Sequence, residues 1–177
     1  GTLLHAPDCY MNKLAAGPAL AGHVSLEGGA VYNIEQAMHV LDCEAKDVRI
    51  VALDRERHHQ LFKEISETGA QLELLGDGDV AGAIWAAKDD GPFDMLMGVG
   101  AAPEGVISAT AIRGIGGVFE GRLVFRSAQE EARAETMVGD DLGRLWQATD
   151  LCQSEDAVFA ASGVCDGYLP GVKIGAD

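Results

Sequence analysis

The stretch VRIVAL at residues 48–53, followed at once by DRERH at residues 54–58, decides the fold of this chain. A short continuous apolar run rich in β-branched residues is typical of a strand buried on both faces of a sheet. Residues 56–68 place Leu61 and Ile65 on one side of a helical repeat, so a helix is predicted directly after the strand. A strand followed by a helix is the repeating unit of α/β folds with parallel sheets.

The same alternation continues along the rest of the chain. Further strands are predicted at residues 71–75 (QLELL), 94–99 (DMLMGV) and 156–161 (DAVFAA), with a short strand or loop around 118–119. Helices are predicted at residues 31–41, 80–87, 104–112 and 127–137, with a short helical turn at 142–146. These elements predict one α/β domain over residues 1–177, with a mainly parallel sheet flanked by helices.

Polar and glycine residues follow the predicted strands at their carboxyl ends. Arg55 and Arg57 follow the first strand, Asp77-Gly78-Asp79 follows the second, and a glycine-rich loop at residues 98–105 follows the third. Ligands of open α/β sheets bind outside the carboxyl ends of the strands. We therefore expect a binding site at this edge of the sheet.

The chain has a formal net charge of −15, with 47% hydrophobic and 23% charged residues. This balance is that of an ordinary globular protein, and no apolar run approaches the roughly 20 residues needed to span a bilayer. So negative a chain repels nucleic acid and anionic membranes, and neither is expected as a partner. A phosphate ester would be repelled too, unless basic groups gather locally or a divalent cation screens the site. The plainer interpretation is that the acidity only keeps the protein soluble.

The four cysteines, at positions 9, 43, 152 and 165, show neither C-x-x-C pairing nor the spacing of zinc ligands. Scattered cysteines in a domain with this much core are typical of reduced thiols, which predicts a cytoplasmic protein. Cys9 is either a small packed residue or a reactive thiol.

Arg55 and Arg57 flank Glu56 at a predicted helix start. Guanidinium groups bind phosphate oxygens in pairs, and a helix N-terminus adds backbone N–H groups that face an anion. The pair is therefore a candidate phosphate-binding site, and the alternative is a solvated helix turn with ordinary surface arginines.

Two further candidate sites follow the next two strands. In Asp77-Gly78-Asp79, the glycine permits a sharp turn between two carboxylates that suit sugar hydroxyls or a metal, or else Asp79 is only a helix N-cap. The loop GVGAAPEG at 98–105 resembles a phosphate-binding loop, although Pro103 fits the dinucleotide pattern G-x-G-x-x-G poorly. Glu104 either holds a hard cation or is an acid favoured by the helix dipole.

Five strings together resemble the GlpX-type class II fructose-1,6-bisphosphatases. Residues 5–14 (HAPDCYMNKL) resemble the family's HAPDxYMxKxA, and residues 51–58 (VALDRERH) resemble its VLDRPRH. The other three are residues 76–80 (GDGDV), 98–106 (GVGAAPEGV) and 159–167 (FAASGVCDG), which resemble DGDVA, GIGGAPEGV and FAATGVTDG. The strings come in the family's order and cover essentially the whole chain.

The resemblance implies a function, a fold and a set of roles. Members hydrolyse the 1-phosphate of fructose 1,6-bisphosphate with Mn²⁺ or Mg²⁺ in gluconeogenesis, and some also cleave sedoheptulose 1,7-bisphosphate in carbon fixation. The implied fold is one half of the layered α/β fold of the lithium-sensitive sugar phosphatases, and a homo-oligomer is implied too. Glu104 would be a metal ligand, and the substrate would contact Tyr10, Arg55, Arg57, Asp77, Gly78, Asp79 and Ala101.

Three departures from the family pattern bear on these expectations. Glu56 replaces a proline and adds negative charge near the expected phosphate, and Ala101 replaces a glycine. The family's N-terminal half, with most metal-binding acids and the group that activates water, is expected to lie outside this chain. Residues 1–177 would then form the substrate-binding half and be inactive alone. The alternatives are a non-catalytic sugar-phosphate-binding module and a dinucleotide-binding oxidoreductase domain.

Overall fold

A six-stranded sheet lies at the centre of the computed structural model, which describes residues 2–164, 171 and 173. The strands lie side by side in the order β3-β2-β4-β1-β5-β6. Their bounds are β1 Tyr10–Ala16, β2 Arg49–Leu53, β3 Gln71–Leu75, β4 Met95–Ala101, β5 Val118–Val124 and β6 Trp146–Gln147. The α-helices are α1 Gly29–Leu41, α2 His59–Thr68, α3 Asp79–Ala87, α4 Ala102–Ile115, α5 Ala128–Val138 and α6 Ala148–Leu151.

The α/β class with flanking helices is confirmed, and the sheet is mixed rather than mainly parallel. Strand β2 pairs in parallel with β3 and β4, as the alternation of strand and helix predicts. Strand β1 runs antiparallel to both β4 and β5, and β5 runs antiparallel to β6. Strand β1 was not predicted, because Asn12 and Lys13 interrupt the apolar pattern at its centre.

The two faces of the sheet bury separate apolar clusters, because side chains alternate along a strand. One face packs against α3 and α4, with Met11, Val51 and Leu96 from the strands. The other packs against α1 and α2, with Leu14 and Ile50 from the strands. Lys13 shares the period-two face of Met11 and so points toward α3 and α4.

Near the C-terminal end, one prediction is wrong and another is right only in part. Residues 156–161 form no strand, and Val158 in their middle is 90% exposed, because an apolar run becomes a strand only where a ladder partner is available. In place of a helical turn at 142–146, the structure has a 3-10 helix at Asp141–Gly143 followed by β6. Cys165 and residues 166–167 of the fifth family string lie outside the described residues.

Two other features bear on the sequence predictions. None of the described helices has both the length and the apolar character to cross a bilayer. Cys9, Cys43 and Cys152 are free thiols.

Helix α4 approaches β1 closely because Gly105 has no side chain. A Cβ at Gly105 would lie 2.6 Å from the Met11 sulfur, and Met11 is fully buried. Gly121 on β5 lies against the same side chain, since a Cβ there would be 2.4 Å from the Met11 sulfur. Gly114, later in the same helix, would meet nothing within 4 Å.

We predict opposite effects for two alanine substitutions in α4. Gly114→Ala should raise the free energy of unfolding by up to about 0.5–1 kcal/mol, because alanine loses less backbone entropy in a helix. Gly105→Ala should lower it by about 1–3 kcal/mol, because the new methyl group overpacks against Met11. Urea unfolding measures both, and a stabilising Gly105→Ala would contradict the close packing.

Candidate functional site

One edge of the sheet gathers the predicted site residues. The carboxyl ends of β2, β3 and β4 reach this edge, and the antiparallel direction of β1 brings its first residue there too. Tyr10 pairs with Ala101 at the end of β4 and with Val124 at the end of β5. The site residues at the start of β1, after β2 and after β3 therefore share one edge of the sheet.

Arg57 is held in place by neutral groups. Its Nε and Nη2 donate hydrogen bonds to the carbonyl of Val99, at 3.0 and 2.6 Å. Its guanidinium carbon lies 4.7 Å from the centre of the Tyr10 ring, within cation–π range. Arg55 points elsewhere and donates to the carbonyl of Asp54 at 2.7 Å. The structure thus brings Arg57 to Tyr10 and gives Arg55 a different partner.

Arg126 is a site residue that sequence reasoning missed. It follows β5 directly, and its guanidinium carbon lies 4.6 Å from the centre of the same Tyr10 ring. Its side chain is paired with the carboxylate of Glu130 on α5. Arg55 and Arg57 were found because they follow the carboxyl end of a predicted strand. The same rule finds Arg126 only if β5 is extended beyond residues 118–119 to Val124.

Asp79 forms a buried ion pair with Lys13. The Lys13 ammonium donates to Oδ2 of Asp79 at 2.6 Å, and the two side chains are 1% and 12% exposed. Burial lowers the pKa of Lys13, and the negative charges of Asp79 and Glu104 oppose that shift. The alternative in which Asp79 caps α3 is wrong, because the N-cap is Gly78, in the left-handed region at φ 89°. Asp77 remains exposed and accepts from the Gly78 amide at 2.9 Å.

Glu104 lies in the first turn of α4 with a carboxylate oxygen that has no partner. Its Oε2 is buried and accepts no hydrogen bond from any described residue. An unpaired buried oxygen is costly, so the atom is suited to a ligand such as a hard cation. No group of three or more His, Cys, Asp or Glu side chains that could hold a metal occurs among residues 2–164, 171 and 173. The described part of the chain therefore fits one metal ligand and not a complete metal site.

The glycines of the 98–105 loop make room for the protein's own side chains. A Cβ at Gly100 would collide with the Asp79 carboxylate, and one at Gly98 would lie 3.0 Å from the His58 ring. Gly105 makes room for Met11 in the same way. In a dinucleotide site the central glycine admits the cofactor's pyrophosphate, and here that space holds Asp79. The structure therefore gives no support to the dinucleotide alternative.

His58 joins the end of β2 to the end of β4. Its Nδ1 donates to the carbonyl of Leu53 at 2.7 Å, and its Nε2 accepts from the amide of Val99 at 2.8 Å. This pair of bonds requires the neutral ring with the proton on Nδ1. Burial lowers the pKa of His58 and the charge of Arg57 lowers it further, although the bond to Leu53 opposes both. Because Val99 also accepts from Arg57, His58 sets the position of that arginine.

Cys9 is a packed residue. It is 3% exposed, and burial raises the pKa of its thiol to about 11, with the charges of Glu130 and Asp8 adding to the effect. A thiol with such a pKa remains protonated at neutral pH and is a poor nucleophile. Of the two interpretations that the sequence left open for Cys9, the structure therefore supports the packed residue over the reactive thiol.

The whole chain matches one protein family. Residues 1–177 match the family model described as bacterial fructose-1,6-bisphosphatase, glpX-encoded. A protein of Prochlorococcus marinus subsp. pastoris named D-fructose 1,6-bisphosphatase class 2/sedoheptulose 1,7-bisphosphatase is 40% identical over all of this chain and 57% of its own length. A protein of Synechococcus sp. (strain JA-3-3Ab) with the same name is 39% identical over 96% of this chain and 52% of its own length. The chain spans about half the length of these curated relatives.

We predict that the Lys13–Asp79 pair couples strongly. Lys13→Met leaves the Asp79 carboxylate buried without a partner and should lower the free energy of unfolding by about 3–5 kcal/mol. The double variant Lys13→Met/Asp79→Ala should recover a large part of that loss, because no buried charge remains. Lys63→Met is the control, since its pair with Glu67 is exposed and is worth under about 1 kcal/mol. Strictly additive losses in the double-mutant cycle would contradict this coupling.

We also predict that His58 makes stability depend on pH below about 6.5. Since the folded-state pKa of His58 is lowered, the unfolded chain binds the proton first as the pH falls below the ordinary value near 6.5. The free energy of unfolding should therefore fall between that value and the folded-state pKa, and His58→Gln should lose this contribution. Urea unfolding at pH 7.5 and 5.5 tests it, with the exposed neighbour His59→Gln as the control. A difference between wild type and His58→Gln that does not shrink at low pH would contradict it.

Proposed function

This chain belongs to the family of bacterial, glpX-encoded fructose-1,6-bisphosphatases, and on that premise we propose that it supplies the substrate-binding side of a metal-dependent sugar bisphosphatase. The observation that carries the proposal is the edge where Arg57, Tyr10 and Glu104 come from separate elements of a chain with a net charge of −15. A local cation is what such an acidic protein needs to hold a phosphate ester.

Arg57 is the proposed anchor for the phosphate that is not cleaved. Its guanidinium is hydrogen-bonded to the neutral carbonyl of Val99 and to no carboxylate among the described residues. Its Nη1 donates in neither of the bonds to Val99 and remains able to donate to a phosphate oxygen. The Tyr10 ring supports the guanidinium from one side. Arg55 is proposed as a second cation near this phosphate.

The turn at Asp77 and Gly78 is the proposed sugar-binding element. Asp77 is exposed at the edge, where a carboxylate can accept hydrogen bonds from sugar hydroxyls. Asp79 is proposed to support this turn. Its hydrogen bond from Lys13 occupies one carboxylate oxygen and fixes the start of α3. Ala101 is half-buried beside Tyr10 and is proposed to face the sugar through its backbone.

Glu104 is the proposed metal ligand of this chain. Its buried, unpartnered oxygen fits one coordination position of Mn²⁺ or Mg²⁺. A bound divalent ion would neutralise the charge of the reacting phosphate and polarise its oxygen. The other ligands are proposed to come from outside the described residues. This half alone would then bind substrate without hydrolysing it.

The names of the relatives include two sugar bisphosphates, and we propose fructose 1,6-bisphosphate as the substrate, with sedoheptulose 1,7-bisphosphate second. A homo-oligomer in the cytoplasm is proposed by family likeness. A non-catalytic sugar-phosphate-binding module is the remaining alternative, favoured by the single metal ligand among the described residues.

Two substitutions should separate binding from chemistry in the complete protein. Arg57→Ala should raise KM for fructose 1,6-bisphosphate by about 10- to 100-fold with kcat largely kept, because it removes binding common to ground state and transition state. Glu104→Gln should instead lower kcat and weaken the dependence of activity on Mg²⁺ or Mn²⁺. Lys46→Ala, which removes an exposed charge just before β2 at the opposite edge, is the control for both. Phosphate release over a range of substrate and metal concentrations gives these constants.

Either of two results would count against the proposal. Unchanged affinity in Arg57→Ala would contradict the phosphate-binding role of this edge. Substrate binding by the complete protein without any phosphate release would favour the non-catalytic module.

A further inference from the structure

Two arginines from different elements lie against one tyrosine ring. Arg57 follows β2, Arg126 follows β5, and the guanidinium carbon of each is less than 5 Å from the centre of the Tyr10 ring. Each contact alone is an ordinary cation–π pair, but together they bring two cationic groups from different elements to the same aromatic ring. An arrangement that gathers like charges in this way is suited to an anion that binds both.

Glu130 determines the orientation of the Arg126 side chain. One oxygen of its carboxylate accepts from Nε and Nη2 of Arg126, and the other accepts from the Arg126 amide at 2.9 Å. Glu130 is itself 7% exposed, whereas the Arg126 side chain is 55% exposed. Ser127 caps the N-terminus of α5 and is uncharged, so it does not change the charge balance of the pair. A buried carboxylate thus fixes the base of an exposed guanidinium, which reduces the entropy that Arg126 loses on binding a ligand.

The hydrogen bonds to Val99 and to Glu130 use the same two nitrogens of each arginine. Val99 engages Nε and Nη2 of Arg57, and Glu130 engages Nε and Nη2 of Arg126. In both side chains Nη1 donates in none of these bonds. The hydrogen bond to Glu130 raises the pKa of Arg126, and Tyr10 adds to that effect, so the guanidinium remains charged throughout the physiological range.

From this arrangement we infer that Arg126 is a specificity-determining residue that binds the phosphate of the substrate that is not cleaved, together with Arg57 and beside the Tyr10 ring. The inference rests on the proposed function and adds to it the residue that distinguishes a bisphosphate from a sugar that has only the reacting phosphate. A second guanidinium contributes only when the phosphate that is not cleaved is present, so Arg126 favours sugars that have this phosphate.

A purely structural role for Arg126 makes a different prediction. In that case the Arg126–Glu130 pair only fastens α5 to the end of β5, and its loss lowers stability without changing ligand affinity. Because Arg126→Ala leaves the Glu130 carboxylate buried without its guanidinium partner, the test also needs the double variant Arg126→Ala/Glu130→Gln. The amide side chain introduced by Glu130→Gln keeps an oxygen for the backbone amide of residue 126 and leaves no buried charge.

Calorimetric titration of the complete protein with three ligands, without divalent cations so that none of the ligands is hydrolysed, tests the inference. Fructose 1,6-bisphosphate has both phosphates, fructose 6-phosphate has only the one that is not cleaved, and fructose 1-phosphate has only the reacting one. In Arg126→Ala and in the double variant, the dissociation constants of the first two should rise about 10- to 100-fold. That of fructose 1-phosphate should change less than about threefold. Arg133→Ala, an exposed arginine on α5, is the charge-matched control and should change none of them.

Three results would overturn the inference. Unchanged affinities with a lowered melting temperature would make Arg126 a structural residue. An equal loss for fructose 1-phosphate and fructose 6-phosphate would place it away from the phosphate that is not cleaved. A wild-type protein that binds none of the three ligands would overturn the proposed function as well, whereas wild-type binding that both variants retain would overturn this inference alone.

Discussion

The buried ion pair between Lys13 and Asp79 is the constraint around which the candidate site is arranged. Removing two charges from water costs several kcal/mol per ion, and this cost is offset only where the ions meet at short distance. Their 2.6 Å contact requires β1, β4 and α3 to lie in one particular arrangement, and it requires glycine at position 100. The same contact fixes the start of α3 and therefore the turn at Asp77 and Gly78.

A second set of contacts, through His58, fixes the opposite side of the site. Val99 donates its amide to His58 and accepts Arg57 at its carbonyl, so one residue at the end of β4 joins the imidazole and the guanidinium. Gly98, at φ 132°, turns the backbone toward the ring and leaves space for it. The position of Arg57 thus depends on hydrogen bonds inside the protein before any ligand is present, which is the preorganisation that binding sites require.

The sequence predicted correctly which edge of the sheet gathers the candidate site residues, but it predicted only some of those residues. The rule that ligands lie beyond the carboxyl ends of strands needs only strand positions, and VRIVAL, QLELL and DMLMGV were apolar enough to reveal theirs. Strand β1 was hidden because Lys13, its largest fully buried side chain, resembles a surface residue until Asp79 is known to lie opposite. Missing β1 also hid the antiparallel half of the sheet, and the short prediction for β5 hid Arg126.

The glycines show a different limit of sequence reasoning. In the loop at 98–105 their spacing resembles a phosphate-binding loop, but a sequence does not show whether the space beside a glycine faces a ligand or another side chain. Here the neighbours of Gly98, Gly100 and Gly105 are all internal. The run at 156–161 has the composition of a strand, yet composition does not create the ladder partner that a strand needs.

The partners of the four cations at this edge, Lys13, Arg55, Arg57 and Arg126, bear on how so acidic a protein could accommodate an anion. Lys13 and Arg126 are each paired with a carboxylate, so their charges are largely balanced within the fold. Arg57 and Arg55 are different, because the carbonyls of Val99 and Asp54 are neutral and leave the charges of these arginines unbalanced. In the proposed site, a phosphate would meet these two arginines as the dominant local cations, while Arg126 would contribute through geometry as much as through charge. Because balanced charges attract anions weakly at long range, the proposed site would select among phosphorylated sugars at close contact more than it would capture any anion from solution.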